Sequence, residues 1–204
     1  GKPVKKGNWF TRNFVPSADD PVTAKIRKIV MIIAVLAVIG SAGYLLNDYV
    51  FMPLLNQKNI DELQGMISNS SGVIDEQTMK EKYPGVDFPD GMLEKYADLY
   101  ARNQDFVGWI EIDGLELSLP VVRGENNSKY LKTDFDGKKN KYGSIFMNCT
   151  NSVDSLDYNT TLFGHYMKDE KMFGKLIGYK DARVYKKAPL IELNTIYGDY
   201  KWKI

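Results

Sequence analysis

An uncharged apolar run near the N-terminus is the feature that most restricts how this chain can fold. It covers residues 29–46, a stretch of 18 residues without Asp, Glu, Lys or Arg. A helix rises about 1.5 Å per residue, so the run approaches the length that crosses a hydrocarbon core of about 30 Å. Tyr44 and Tyr49 lie where aromatic side chains meet a membrane interface. The run therefore predicts a transmembrane helix.

The charges on the two sides of this run predict its orientation. Residues 1–28 contain seven basic and two acidic residues, whereas residues 47–204 contain 20 basic and 24 acidic residues. The positive-inside rule then places the N-terminus in the cytoplasm and the residues after the run outside the cell membrane. Two alternatives stay open: a cleaved signal peptide, with Ser41-Ala42-Gly43 as the cleavage site, and a buried core helix.

Composition excludes several classes of protein. Apolar residues make up 44 % of the chain, which is too many for a disordered protein. A single Cys and a single His exclude a disulfide framework and a multi-ligand zinc site, and no metal or cofactor is expected. The net charge of +1 gives no reason to expect a nucleic-acid partner.

Helical and then alternating patterns follow the apolar run. Residues 56–71 predict a stalk helix and linker, residues 75–82 a short helix, and Asp90 the cap of a helix over residues 92–103. From Asp105 the apolar period changes to two. Asp113-Gly114 then predicts a hairpin turn, Pro120 a sheet edge or bulge, and residues 172–179 a short helix. Strands are predicted at residues 106–112, 115–122, 142–148, 159–164, 182–186, 190–195 and from 197 onward, as in an antiparallel barrel or sandwich.

Two side chains in this region could carry chemistry. His165 is the one group whose ordinary pKa lies near neutrality, and it follows an apolar strand, although a structural or exposed His would look the same. Cys149 is the one thiol, and it could be either a nucleophile or a small buried side chain. Glu170 follows His165 by five residues, which is not a zinc-protease spacing.

Six short sequence motifs between residues 103 and 176 resemble those of the class B sortases. These enzymes are membrane-anchored cysteine transpeptidases of Gram-positive bacteria. The resemblance covers about residues 89–204, behind an N-terminal anchor of the expected orientation. In chain order, the motifs are residues 103–110 (NQDFVGWI), 119–122 (LPVV), 127–131 (NSKYL), 143–147 (GSIFM), 161–167 (TLFGHYM) and 172–176 (MFGKL).

This resemblance implies a mainly β protein, with a sortase-like antiparallel β-barrel, N-terminal helices and one transmembrane helix. It divides the chain into a cytoplasmic tail (1–28), an anchor (29–46), an extracytoplasmic stalk (47–88) and a catalytic domain (89–204). It also implies cleavage of a C-terminal sorting signal of secreted proteins after Thr. The acyl group then passes through a thioester to an amine of peptidoglycan or of a pilin.

Residue by residue, the resemblance places the catalytic His on His165 and groove-lining residues on Asn127 and Leu131. The family's nucleophilic Cys and its Arg belong to later strands, and neither matches a residue here. Cys149 is therefore not expected to be the nucleophile. The 204 residues are expected to be a C-terminally truncated part of a longer protein, with an incomplete barrel and no activity of their own.

Two other functions stay open at this point. One is a non-catalytic, membrane-tethered β-domain that binds peptides or wall polymers. The other is a thiol hydrolase that uses Cys149 with His165, which requires the two side chains to lie within about 4 Å of each other.

Overall fold

A computed structural model describes residues 8–70 and 72–204, which divide into two compact units. One unit ends at Asn56, and the other runs from Gln57 to Ile204. The described α-helices are α1 (Trp9–Phe14), α2 (Val22–Leu46), α3 (Met52–Gly65), α4 (Glu76–Lys82), α5 (Ala97–Arg102) and α6 (Ala182–Lys187). The described strands are β1 (Phe106–Ile112), β2 (Leu117–Val122), β3 (Ile145–Met147), β4 (Leu162–Phe163), β5 (Leu190–Thr195) and β6 (Asp199–Lys203).

Helix α2 contains the whole apolar run. It has 25 residues, and no residue from 29 to 46 is buried, which contradicts the buried core helix. Among the described residues, one helical stretch, Val22–Gly65, is long and apolar enough to cross a membrane. That stretch continues past α2 through a π-helical turn at Asn47–Phe51. The short helix α1 before it was not predicted, because six residues are too few to show a period.

The helices that lead into the sheet follow the sequence in part. Helix α4 confirms the prediction at residues 75–82, and the Asp75 carboxylate caps it by accepting from the Thr78 N–H at 2.9 Å. The helix predicted at residues 92–103 was wrong in its first half, since α5 begins at Ala97 after a 3-10 turn. Long-range bonds explain this: the Leu93 N–H donates to Ile196 and the Glu94 N–H to Gly72. Asp90 therefore caps no helix.

One six-stranded sheet forms the centre of the second unit. Its order is β4-β3-β2-β1-β5-β6, and it curls into a half-barrel. The predicted bounds of β1 and β5 agree with the structure, because each strand is a short run rich in apolar residues that is bounded by turn residues. Four of the five pairings are antiparallel, but β2 and β3 run parallel. The long connection through residues 123–144 allows this crossover, which an all-antiparallel arrangement does not contain.

Two local predictions need comment. Strand β3 pairs with β2 only at Val121 and Val122, so Pro120 is paired with β1 alone. Proline has no N–H to donate to a second strand, and this position does not need one. The strand predicted at residues 182–186 was wrong. These residues form α6, because the Asp181 side chain caps a helix by accepting from the Arg183 N–H at 2.8 Å.

The turn between β1 and β2 is longer than a two-residue hairpin. It contains a 3-10 turn at Asp113–Leu115 and then Glu116, whose φ of 51° is left-handed. Gly114 is required there, because a Cβ at this position would clash with Ala188 at the end of α6. The predicted hairpin is therefore present, and α6 packs against its turn.

Within the second unit, an ionic contact joins the end of α3 to the loop before β3. Arg102 binds the Asp136 carboxylate with two N–H groups, at 2.7 and 2.9 Å, and donates from Nη1 to Glu62 of α3 at 2.6 Å. The hydrogen bonds from Arg102 hold the pKa of Asp136 below its ordinary value. Large aromatic side chains fill the core beside this contact, among them Tyr96, Phe106, Trp109, Tyr130, Tyr142 and Phe146.

Candidate active site around His165

His165 lies two residues after the end of β4, partly exposed to solvent. Its Nε2 is 2.6 Å from the carbonyl oxygen of Leu131. A carbonyl oxygen can only accept, so Nε2 must carry the proton of this hydrogen bond. In the neutral ring the basic lone pair is then on Nδ1. The contact fixes both the ring orientation and the tautomer, which a proton-transfer group needs.

The backbone on either side of His165 is tightly packed. A Cβ at Gly164 would overlap the end of the Ile145 side chain and the ring of Phe173, so a larger residue here would force both side chains to shift. The carbonyl oxygen of His165 accepts from the Phe173 N–H at 3.1 Å. Tyr166 and Met172 form a bridge that closes the loop between them. The imidazole is therefore presented from a short, closed loop.

Asn127 and Leu131 both lie on the connection from β2 to β3. Leu131 ends a 3-10 turn, and it meets His165 through its main chain, while its side chain is 37 % exposed. Asn127 accepts from the Cys149 N–H at 2.8 Å and donates from Nδ2 to Asn148 at 3.2 Å. The structure thus brings Leu131 to His165 and ties Asn127 to the end of β3.

A buried polar cluster supports the turn that carries Leu131, and sequence reasoning missed it. The Tyr130 hydroxyl donates to Asp105 at 2.8 Å and accepts from Asn103 Nδ2 at 3.0 Å. Lys129 also donates to Asp105, at 2.5 Å. Burial raises the pKa of Tyr130, so its hydroxyl keeps the proton that it donates. The Asn-x-Asp spacing before β1 was the available signal, although its partner Tyr130 is 25 residues away.

Cys149 lies at the other end of the β3/β4 pair from His165. The two strands are antiparallel, with Met147 opposite Leu162, and the Asn148 N–H extends the ladder to Thr161 at 2.9 Å. Cys149 therefore lies level with the residues that precede β4, whereas His165 lies beyond the last residue of β4. Five strand positions separate the two levels, roughly 16 Å at the rise of a β-strand. This register disfavours a Cys149–His165 catalytic pair.

A mainly apolar cavity of 440 Å³ lies between strands of the sheet and the loop before β4, which contributes Asp157, Asn159 and Thr160 to its lining. Phe173, whose N–H binds the His165 carbonyl, is one of its walls, and Leu162 of β4 is another. The strands β1 and β5 contribute Ile110, Ile112, Ile191 and Leu193, and β6 contributes Trp202. A concave apolar surface with polar groups at its edge suits a small apolar ligand or a peptide side chain.

Within residues 8–70 and 72–204, no three His, Cys, Asp or Glu side chains converge so as to hold a metal ion. The His165 imidazole can transfer protons, and its loop is joined through Phe173 to one wall of the apolar cavity.

Comparison with known proteins shows which proteins this chain resembles. No protein-family profile matches the chain. Sortase B of Staphylococcus aureus (strain NCTC 8325 / PS 47) is 37 % identical over 110 residues, which cover 54 % of this chain and 45 % of that protein. Sortase B of Listeria monocytogenes serovar 1/2a (strain ATCC BAA-679 / EGD-e) is 38 % identical over 111 residues, with the same shares covered. The chain is related to the class B sortases.

Solved sortase B structures are also similar to this chain. The Bacillus anthracis enzyme in complex with AAEK1 has a TM-score of 0.63 and 27 % identity, and the match covers 75 % of this chain and 66 % of that one. The S. aureus sortase B-substrate complex has a TM-score of 0.60 and 30 % identity, over 75 % and 64 %. The chain spans less than half of the curated relatives and about two thirds of these solved chains. This chain is therefore similar to sortase B in its half-barrel fold as well as in its sequence motifs.

Proposed function

We propose that residues 57–204 belong to a sortase-type cysteine transpeptidase in which His165 transfers the protons. The similarity to class B sortases supports the general activity. The observation that carries the role of His165 is the bond from its Nε2 to the Leu131 carbonyl at 2.6 Å. This bond holds the ring by one nitrogen and leaves Nδ1 to take up and return a proton.

The chemistry has two acyl transfers. A thiolate attacks the carbonyl carbon of the Thr in a sorting signal, the peptide C–N bond breaks, and the His165 imidazolium gives its proton to the leaving amine. An incoming amine of peptidoglycan or of a pilin then gives a proton to the imidazole and attacks the thioester, which releases the thiolate. An Arg guanidinium stabilises the developing oxyanion.

We propose that the nucleophilic thiol and the oxyanion-stabilising Arg are both outside these 204 residues. The register of β3 and β4 supports the exclusion of Cys149, because it separates that thiol from His165. The 204 residues by themselves are therefore proposed to be inactive in transpeptidation.

The sorting peptide is proposed to bind beside His165. The 440 Å³ cavity supplies an apolar surface for its side chains. Leu131, with its partly exposed side chain, and Asn127 lie on the connection that borders the His165 ring. The related S. aureus protein has been solved as a sortase B-substrate complex, which supports a peptide ligand for this groove.

The chain is proposed to be a single-pass membrane protein. Residues 1–28 would be its cytoplasmic tail, 29–46 its anchor, 47–88 an extracytoplasmic stalk and 89–204 the catalytic domain. The exposed apolar surface of α2 and the basic N-terminal charge support this arrangement.

The test measures transfer of a fluorescent sorting peptide to an amine by the full protein that the gene encodes. His165→Ala should lower kcat/KM by about 10²- to 10⁴-fold, the usual contribution of a general acid–base group. Cys149→Ala is the matched control and should retain wild-type turnover. Full turnover by His165→Ala would overturn the role of His165. Turnover by residues 1–204 that is lost in Cys149→Ala would favour the thiol hydrolase instead, and peptide binding without cleavage by the full protein would favour the non-catalytic domain.

A further inference from the structure

The short helix α1 presents aromatic side chains that the described protein does not cover. Trp9 is 72 % exposed and Phe10 is 58 % exposed. Phe14 contacts both, with ring centroids 5.6 Å from Trp9 and 5.0 Å from Phe10, so the three rings form one apolar cluster. Large aromatic rings are stabilised at a membrane interface, where one side is apolar and the other is wet.

A buried lysine fixes the depth of this cluster relative to the apolar run. Lys28 is 3 % exposed, and its Nζ donates to the carbonyl of Val15 at 3.1 Å and to the Asp20 carboxylate at 2.7 Å. Val15 directly follows the last residue of α1, and Lys28 directly precedes Ile29, where the apolar run begins. The contact therefore holds the end of α1 at the level where a spanning α2 would meet the lipid headgroups.

A second lysine contact closes the same loop. Lys25 Nζ donates to the Ala18 carbonyl at 2.8 Å, one turn before Lys28 along α2. Residues 15–20 are thus bound to the first two turns of α2. The level of α1 follows from these bonds.

The charge around the aromatic cluster complements an anionic surface. Arg12 on α1 and Arg27 on α2 are both exposed, and Lys25 is half-buried. Of the two acidic residues in residues 8–28, Asp20 is paired with Lys28 and Asp19 is exposed, so the segment keeps a net positive charge. Each exposed basic side chain near an anionic lipid surface strengthens binding by about fivefold. The exposed aromatic rings and the positive charge therefore both favour binding to an anionic lipid surface.

We propose that residues 8–28 form an anchor that binds anionic phospholipid at the membrane interface, with the rings of α1 inserted among the headgroups and Arg12 and Arg27 bound to their phosphates. This inference rests on the proposed membrane span at residues 29–46, and it does not depend on which end of the span faces the cytoplasm. It adds a lipid-binding surface to a segment that the transpeptidase mechanism does not use.

The experiment places the full chain in phosphatidylcholine vesicles, with and without about a quarter of phosphatidylglycerol. Emission of the Trp9→Phe variant is subtracted from that of the wild type, which isolates Trp9 from Trp109 and Trp202. The Trp9 signal is expected to be quenched by lipid brominated near the top of the acyl chains and protected from aqueous acrylamide. Phenylalanine keeps the apolar ring, so this variant should preserve the anchor.

The charge is tested separately. Arg12→Gln with Arg27→Gln should weaken the phosphatidylglycerol-dependent protection of Trp9 by about fivefold per charge. The control, Lys180→Gln with Lys186→Gln, removes two exposed charges from the second unit and should leave the protection unchanged.

The outcomes separate this inference from the proposed function. Vesicle flotation after an alkaline carbonate wash, which removes proteins bound only at the surface, measures the span, and a chain that does not float would overturn both the span and the anchor. A chain that floats while Trp9 is open to acrylamide and untouched by brominated lipid would overturn the anchor alone. Equal protection with and without phosphatidylglycerol would overturn the anionic selectivity and with it the proposal.

Discussion

The Tyr130 hydroxyl offers a sharp test of how the turn beside His165 is held. This side chain is 1 % exposed, and its hydroxyl bridges Asp105 and Asn103. Tyr130→Phe removes a hydrogen bond to a carboxylate, which contributes about 1.5–3 kcal/mol. Asp105 keeps its bond from Lys129, and Asn103 keeps its bond to the Phe135 carbonyl, so no buried polar group loses its last partner. We therefore expect a loss of about 2 kcal/mol.

The assay is thermal unfolding of the full chain in detergent micelles, followed by the emission of the buried Trp109. For a protein of this size, a loss of about 2 kcal/mol lowers Tm by roughly 4–8 °C. The control is Tyr158→Phe, which removes the same atom from a fully exposed ring and should change stability by less than about 0.5 kcal/mol. If Tyr130→Phe unfolds at the wild-type temperature, the cluster does not hold the turn.

Three further outcomes follow from the geometry. His165 is the one histidine, so its imidazole gives a single set of ¹⁵N NMR signals; these should show the proton on Nε2 in the neutral ring, and a neutral ring protonated on Nδ1 would contradict the Leu131 contact. Gly164→Ala should cost about 1–3 kcal/mol in denaturant unfolding through overpacking, whereas Gly198→Ala, where a Cβ meets only ordinary contacts, should cost less; equal costs would refute the close packing at Gly164. Because hydrogen bonds from Arg102 lower the pKa of Asp136 in the folded state, their contribution is present above about pH 4 and is lost as pH falls toward the folded pKa. Asp136→Asn should therefore flatten the acid side of the stability curve, and an unchanged acid slope would contradict this.

The strands that the sequence predicts best are short runs rich in apolar residues between clear turn signals. Strands β1 and β5 are both of this kind, so their bounds could be predicted. The parallel pairing of β2 with β3 could not, because it depends on the path of a 22-residue connection rather than on either strand. The same holds for Leu93 and Glu94, whose backbone bonds to Ile196 and Gly72 prevent the predicted helix from starting there.

The candidate site around His165 could likewise be predicted only in part from the sequence. His165 could be selected because one ionisable side chain of suitable pKa follows an apolar strand, and the family motifs indicated the same residue. Its hydrogen bond to a main-chain carbonyl carries no side-chain signature, so the tautomer required the structure. The cluster of Asp105 and Tyr130 also needed coordinates, since two polar residues 25 positions apart show no pattern in sequence.

The Arg102 contact has a mechanical consequence. The Arg102–Glu62 bond joins residues 40 positions apart, and the Arg102–Asp136 pair continues it to the loop before β3. A pulling force on the end of α3 that carries Glu62 would pass through this guanidinium to the loop before β3 instead of stretching the intervening chain. Concentrated salt would weaken that path, since partly exposed ion pairs are screened.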